Sequence, residues 1–323
     1  MEELSYEENN MNTALANQGC FRNKLAPPCS HEPAPAHNLK CMEVWGGNHR
    51  MDAGAVTPGL DLWIYSLPFA EAANGGDVHY LSLCGGGMIT RFVLADVAGH
   101  GTKVSEVASW LQRLVARNIN RKSQVRLVAA LNERFAEMSS VGTFATAVVG
   151  TYSIKGSRLT LCNAGHPRPF LYRAATRQWS IVQSSDGGSE ESLGNLPLGI
   201  DRGSCYRQME TVLDDGDLIF VYTDAVTESR SPNGEPLGER GLLMLLRGME
   251  AAPPASMAAA ITHRLGEFRG RTQPDDDLTF LLLRRNAQRR HRRNWSQTLD
   301  VYAKLFRLKR MYEPVREEDT SHA

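Results

Sequence analysis

Residues 89–101 read Ile-Thr-Arg-Phe-Val-Leu-Ala-Asp-Val-Ala-Gly-His-Gly. The first seven are strand-like, rich in β-branched, aromatic and other apolar side chains. Asp96 ends the apolar run, and Gly99-His100-Gly101 makes a tight turn. Beyond it, Val104, Val107, Ala108, Leu111, Leu114 and Val115 fall on one face of a helix. Just upstream, residues 78–83 form a second strand-like run. Cys84-Gly85-Gly86-Gly87 between the two reads as a hairpin turn. A hairpin running through an acid and a glycine turn into an amphipathic helix is the unit from which the rest of the chain is read.

Downstream, Val125, Val128, Leu131, Phe135 and Met138 predict a second helix over 124–138. Strands are expected near 143–153, 158–163 and 168–173, separated by Lys155-Gly156 and by Gly165-His166-Pro167. A polar loop spans 184–195. Strands then resume at 206–213 and 218–223, helices follow at 239–249 and 254–268, and a last strand covers 278–284. Hairpin-joined strands interrupted by two pairs of helices predict an antiparallel, layered α+β domain rather than a doubly wound parallel sheet. No internal repeat is visible.

The chain has 323 residues, 42% of them hydrophobic and 22% charged, enough to bury a sizeable core and unlike a disordered or fibrous composition. The leucine-rich stretch at 242–246 is far shorter than a membrane-spanning helix requires. The acidic, polar start MEELSYEENN lacks the pattern of a secretory signal. Six cysteines, Cys20, Cys29, Cys41, Cys84, Cys162 and Cys205, have no framework spacing, which fits a reducing, cytoplasmic setting. Cys29, His31, His37 and Cys41 match no zinc template. Charge totals zero but is unevenly spread: residues 41–283 carry a net −4 and residues 284–323 a net +6. An acidic body and a basic tail need not share a partner.

Four acidic positions stand where strands end or turns begin: Asp77 after Gly75-Gly76, Asp96, Asp224 after 218–223, and Asp275-Asp276-Asp277 before Leu278. Each alone reads as a turn or capping residue. Gathered at one sheet edge, they would repel one another unless cations neutralised them. An all-oxygen donor set favours hard ions, Mg²⁺ or Mn²⁺, over Zn²⁺. Two such ions can share a bridging water and direct it at a phosphate ester. Thr223, Glu228 and Thr279 are candidates to orient the ligating oxygens.

Six motifs now stand in order: Gly75-Gly76-Asp77; Leu94-Ala95-Asp96-Val97-Ala98-Gly99-His100-Gly101; Asn163-Ala164-Gly165-His166-Pro167; Leu196-Pro197-Leu198-Gly199; Gly216-Asp217-Leu218 running into Tyr222-Thr223-Asp224; and Asp276-Asp277-Leu278-Thr279. Over about residues 60–285 the chain resembles the SpoIIE-like (RsbU-like) branch of the metal-dependent protein phosphatases, the protein phosphatase 2C or PPM superfamily. The resemblance implies a four-layer αββα sandwich, two antiparallel β-sheets flanked by helix pairs. It implies two divalent cations, Mn²⁺ or Mg²⁺, held by Asp77, Asp96, the Val97 carbonyl, Asp224 and Asp276, with Asp277 as the alternative to Asp276. It further implies hydrolysis of phosphoserine or phosphothreonine in a protein through a water bridging the two metals, in bacterial partner-switching signalling. An anti-sigma-factor antagonist is the type of substrate such members dephosphorylate. His100 is a candidate general acid for the leaving group, set against a turn histidine; His166 reads as a turn residue. Departures from the family pattern are Tyr80, where an acid is frequent, Ala98 for Ser and Ala225 for Gly. A catalytically weak regulatory protein of the same fold is the competing reading.

The organisation expected is a mostly irregular tail over 1–55, the phosphatase domain over 56–285, and a basic, helical extension over 286–323. Arg284, Arg285, Arg289, Arg290, Arg292 and Arg293 fall within ten residues, followed by Leu299, Tyr302, Leu305 and Phe306 at helical spacing. Such a segment suits an acidic partner or an anionic membrane surface, or packing on its own domain. No specific nucleic-acid motif accompanies it.

Overall fold

Strands in this protein carry apolar side chains on both faces, and that decides the layering. The computed structural model describes residues 36–84, 86–99, 101–121, 123–138, 142–182 and 196–287, all within the compact unit Pro35–Ala323. Thirteen strands are described: β1 (His37–Asn38), β2 (Val44–His49), β3 (Met51–Thr57), β4 (Leu60–Leu67), β5 (Asn74–Cys84), β6 (Ile89–Val97), β7 (Ala145–Ser153), β8 (Arg158–Ala164), β9 (Phe170–Arg173), β10 (Gln178–Ile181), β11 (Gln208–Val212), β12 (Leu218–Tyr222) and β13 (Leu278–Arg285). The helices are α1 (Thr102–Asn118), α2 (Gln124–Met138), the single turn α3 (Asp224–Thr227), α4 (Gly238–Arg247) and α5 (Pro254–Arg269), with a 3₁₀ turn at Phe69–Glu71.

The strands form a seven-stranded sheet in the order β1-β3-β4-β13-β12-β9-β10 and a six-stranded sheet in the order β11-β8-β7-β6-β5-β2. Pairing is antiparallel except for the short edge strand β1, which runs parallel to β3. Alternation sorts the side chains into three cores. Phe92 and Leu94 of β6, Ile219 and Val221 of β12, and Leu281 and Leu283 of β13 pack together between the sheets. From the opposite face of β6, Val93 and Ala95 meet Ala108, Leu111 and Val115 of α1 and Val128, Leu131 and Phe135 of α2. On the far side, Phe220, Tyr222, Phe280 and Leu282 meet Leu242 and Leu246 of α4 and Ile261 and Leu265 of α5. This is the expected αββα sandwich of two sheets flanked by helix pairs. Because each sheet is covered on both faces, its central strands read as continuous apolar runs.

Of the mostly irregular tail expected over 1–55, residues 1–35 lie outside the described residues, while His37–Asn38, Val44–His49 and Met51–Thr57 are strands rather than irregular chain, with β2 on one sheet and β3 on the other. Glycines interrupt the apolar pattern there for a packing reason. A Cβ on Gly54 would stand 2.7 Å from the Trp63 ring, and one on Gly46 would stand 2.9 Å from the His79 carbonyl. Strands β4 and β10 and the turn α3 are further elements without a sequence expectation. The basic segment beyond residue 287 lies outside the described residues, as do Cys20, Cys29 and His31. Cys41, Cys84, Cys162 and Cys205 are free thiols. His37 stacks on Trp45 at 5.2 Å and bonds Glu43 at 2.6 Å. Among the described residues no helix is long and apolar enough to cross a membrane.

Candidate active site

One end of the sandwich collects the acids because of strand direction. In the seven-stranded sheet, β4 ends beside the start of β13, with Leu67 opposite Leu278, and β12 ends there too, with Tyr222 opposite Phe280. Asp276 and Asp277, just before β13, therefore lie beside Asp224, just after β12. In the facing sheet, the hairpin β5–β6 sets Asp77 directly opposite Asp96. Thr223 closes the distance between sheets: its hydroxyl donates to Asp77 Oδ2 at 3.0 Å.

Asp77 is 2% exposed, and its Oδ1 has no hydrogen-bond partner. Burial first, and then the charge of Asp96, push its carboxyl well above the ordinary carboxylate range, while the hydroxyls of Thr279 and Thr223 oppose the rise. Asp96 is pushed up to about 8, by burial and then by Asp224, Asp276 and Asp277. Asp224 is raised by burial, then by Glu228 and Asp276. The carboxyl groups of Asp96 and Asp224 act directly on each other. The acids are thus close enough that they cannot all be ionised without compensating positive charge.

Adjacent Asp276 and Asp277 have different surroundings. Asp277 accepts the backbone N–H of Phe69 on Oδ1 and of Gly76 on Oδ2, both at 2.6 Å. A Cβ on Gly75 would stand 2.5 Å from Asp277 Oδ1, so glycine there admits the carboxylate. Asp277 ties the end of β4 to the start of β5. Asp276 accepts the Asp277 N–H at 2.8 Å and acts electrostatically on Asp96 and Asp224, while Asp277 acts on Asp77 and Asp96. The Val97 carbonyl lies 3.2 Å from where a Cβ on Gly76 would be, so that glycine keeps the approach to this oxygen clear. His100 lies outside the described residues. His166 is buried and tied into its turn: Nδ1 bonds Thr146 Oγ1 at 2.8 Å, while Asn163 accepts its N–H at 2.7 Å and donates to its carbonyl at 2.8 Å.

Sequence reasoning missed Asn48, whose side-chain amide donates to the Gly75 carbonyl at 2.9 Å and to the Ser105 carbonyl at 3.0 Å, pinning β5 to α1. An asparagine between Gly-Gly and His carries no pattern that could have flagged it. Also unforeseen was a cleft of about 380 Å³ beside Asp224, lined by Pro167, Tyr222, Glu228, Arg230, Pro236 and Glu239.

Among the described residues no three His, Cys, Asp or Glu side chains already have the mutual geometry of a metal shell. The donor set nevertheless fits a hard divalent cation on three observations: the orphaned Asp77 Oδ1, the mutual crowding of the Asp96 and Asp224 carboxyl groups, and the cleared Val97 carbonyl. All of these donors are oxygens.

A two-sheet sandwich with helix pairs outside and acids at one end of the sheets is the protein phosphatase 2C fold. The sequence profile of stage II sporulation protein E (SpoIIE) matches residues 87–286; the chain belongs to the SpoIIE family. It is 26% identical over 232 residues to phosphoserine phosphatase RsbU of Bacillus subtilis, covering 71% of this chain and 64% of that protein. It is 27% identical over 150 residues to protein IcfG of Synechocystis, covering 46% of this chain and 22% of that protein. Among solved structures, the RsbU and RsbW domains of a Mycobacterium tuberculosis protein match with a TM-score of 0.57 at 25% identity, over 81% of this chain and 71% of that one. The PP2C domain of SpoIIE from Bacillus subtilis shares the fold, with a TM-score of 0.59 at 16% identity, over 71% of this chain and 64% of that one.

Proposed function

We propose that this chain is a protein serine/threonine phosphatase dependent on Mn²⁺ or Mg²⁺. The single observation that carries the reading is the convergence of Asp77, Asp96, Asp224 and Asp276 with carboxyl groups too crowded to ionise together. Two divalent cations held by these acids and the Val97 carbonyl would supply the missing positive charge, polarising a water and the phosphoryl oxygens. The protein's own part is positioning. Thr223 fixes one oxygen of Asp77 and leaves Oδ1 without a hydrogen-bond partner. Any proton held by Asp96 or Asp224 must leave before both can ligate. Asp277 holds the strand ends so that Asp276 stays free of that task. Hydrolysis breaks the phosphorus–oxygen bond of the ester and adds water at phosphorus, yielding the free hydroxyl and inorganic phosphate.

The phosphatase body would run from β1 through β13, with the basic segment after it as an extension. Similarity to RsbU supports a phosphoprotein of a partner-switching system as substrate, of the anti-sigma-factor-antagonist type. The test is Mn²⁺-dependent hydrolysis of phenyl phosphate and of a phosphopeptide, wild type beside Asp96→Ala. Loss of activity by about two to three orders of magnitude is expected. Activity without metal, or unaffected by the substitution, would sink the mechanism.

A further inference from the structure

Phe69 is the aromatic among the five large apolar side chains left exposed in the described residues, at 40% exposure. Its backbone is also anchored. Its N–H is clamped 2.6 Å from Asp277 Oδ1. Pro68 before it has φ −60°, and Ala70 after it takes φ 52°, a left-handed conformation that a non-glycine residue adopts at a cost. An exposed phenyl ring on a rigid, strained turn is poorly explained by folding, since neither its burial nor its backbone favours the arrangement. Such a ring binds with little loss of conformational freedom.

Its place follows from the sheet order. β4, β13, β12 and β9 are neighbours and antiparallel, so the end of β4, the start of β13, the end of β12 and the start of β9 share one edge. Along that edge Phe69, Asp276, Asp224 and Pro167 come in order, and beyond Asp224 lies the 380 Å³ cleft. Phe69 and the cleft therefore flank the acids on opposite sides. With strands about 4.8 Å apart, Phe69 stands roughly 7–10 Å from the midpoint of the acids, the span of about two or three extended residues.

Resting on the phosphatase reading, we propose that the phosphorylated segment of the substrate crosses this edge in extended form, and that Phe69 is its specificity contact. Phe69 takes an apolar side chain two or three residues from the phosphoserine, while the other flank enters the cleft. The experiment measures binding by fluorescence anisotropy to the full chain with Mn²⁺. The probes are labelled peptides carrying a phosphonate in place of phosphoserine, with leucine or alanine at each of the three positions on either side. Wild type is expected to prefer leucine at one of these positions by about tenfold. Phe69→Ala is expected to erase that preference and Phe69→Leu to restore most of it, with both variants melting at the wild-type temperature. Absence of a leucine preference in wild type, or its persistence in Phe69→Ala, overturns the proposal. Phenyl phosphate hydrolysis is followed in parallel. A wild type that hydrolyses nothing but shows a Phe69-dependent preference overturns the phosphatase reading and upholds the contact.

Discussion

Two neighbouring aspartates differ in what their oxygens hold. Asp277 has both oxygens on backbone N–H groups from two different segments, and a charge-assisted bond of this kind contributes about 1.5–3 kcal/mol. Asp277→Ala is expected to lower unfolding stability by about 3 kcal/mol, read from urea titration of the metal-free protein. Asp96→Asn, which removes a charge from a crowded buried cluster, should leave stability equal to or above wild type in the same titration. Equal losses for the two variants would contradict the division of labour. His166 gives the pH prediction. Burial lowers its imidazole to about 3 from an ordinary 6.5, so between these values the unfolded chain binds the extra proton. Its contribution is complete above pH 6.5 and is lost as pH falls toward 3, at about 1.4 kcal/mol per pH unit. Comparison of the pH dependence of unfolding between wild type and His166→Gln should show a shallower acid limb in the variant.

At the scale of elements, the β5–β6 hairpin carries two ligand candidates and the glycines that make room for them. Asp77 and Asp96 face each other because of register, and a one-residue slip of either strand would turn its acid to the helix side. Gly75 is where this element meets another: a Cβ would collide with Asp277 at 2.5 Å. Gly75→Ala is expected to cost about 1–3 kcal/mol and to lower Mn²⁺-dependent activity through displacement of Asp277. A crystal structure of the variant with Asp277 unmoved would refute the account. The turn α3 is as consequential as it is short: Asp224 occupies its first turn, with Thr223 at the cap position reaching across to Asp77.

For the whole molecule, opposing charges link stability to cation binding. Asp77, Asp96 and Asp224 are more protonated when folded than when unfolded, so a bound cation competes with protons and stabilises the native state. Mn²⁺ at a hundred times its dissociation constant should add about 2.7 kcal/mol of stability, visible as a rise in Tm. The rise should be lost in Asp96→Ala and grow as pH increases from 6 to 8, where protons leave the cluster. An equal Tm with and without Mn²⁺ at pH 8 would count against cation binding. Such binding also changes the charge bookkeeping: two divalent ions would bring residues 41–283 from −4 to about zero, leaving the positive charge concentrated after residue 283.

Periodicity and glycine placement carried much of the architecture. The apolar runs at 89–95, 218–223 and 278–284 and the helical faces of α1, α2, α4 and α5 are local patterns, legible because each element must bury a fixed face whatever its neighbours. The six ordered motifs identified the family for the same reason, since they are contiguous in the chain. The N-terminal strands were not legible as such: Gly46, Gly47 and Gly54 weaken the local pattern, and contacts with Tyr80, His49 and Trp63 respectively explain them. Nor could sequence separate Asp276 from Asp277, because adjacent carboxylates differ only in what other segments present to them. Asn48 and Phe69 likewise draw their significance from strands brought alongside. The sequence determined which elements form and which chemistry they carry. The tertiary structure alone decided that Asp277 holds the backbone of two other segments, because that depends on N–H groups some two hundred residues away along the chain.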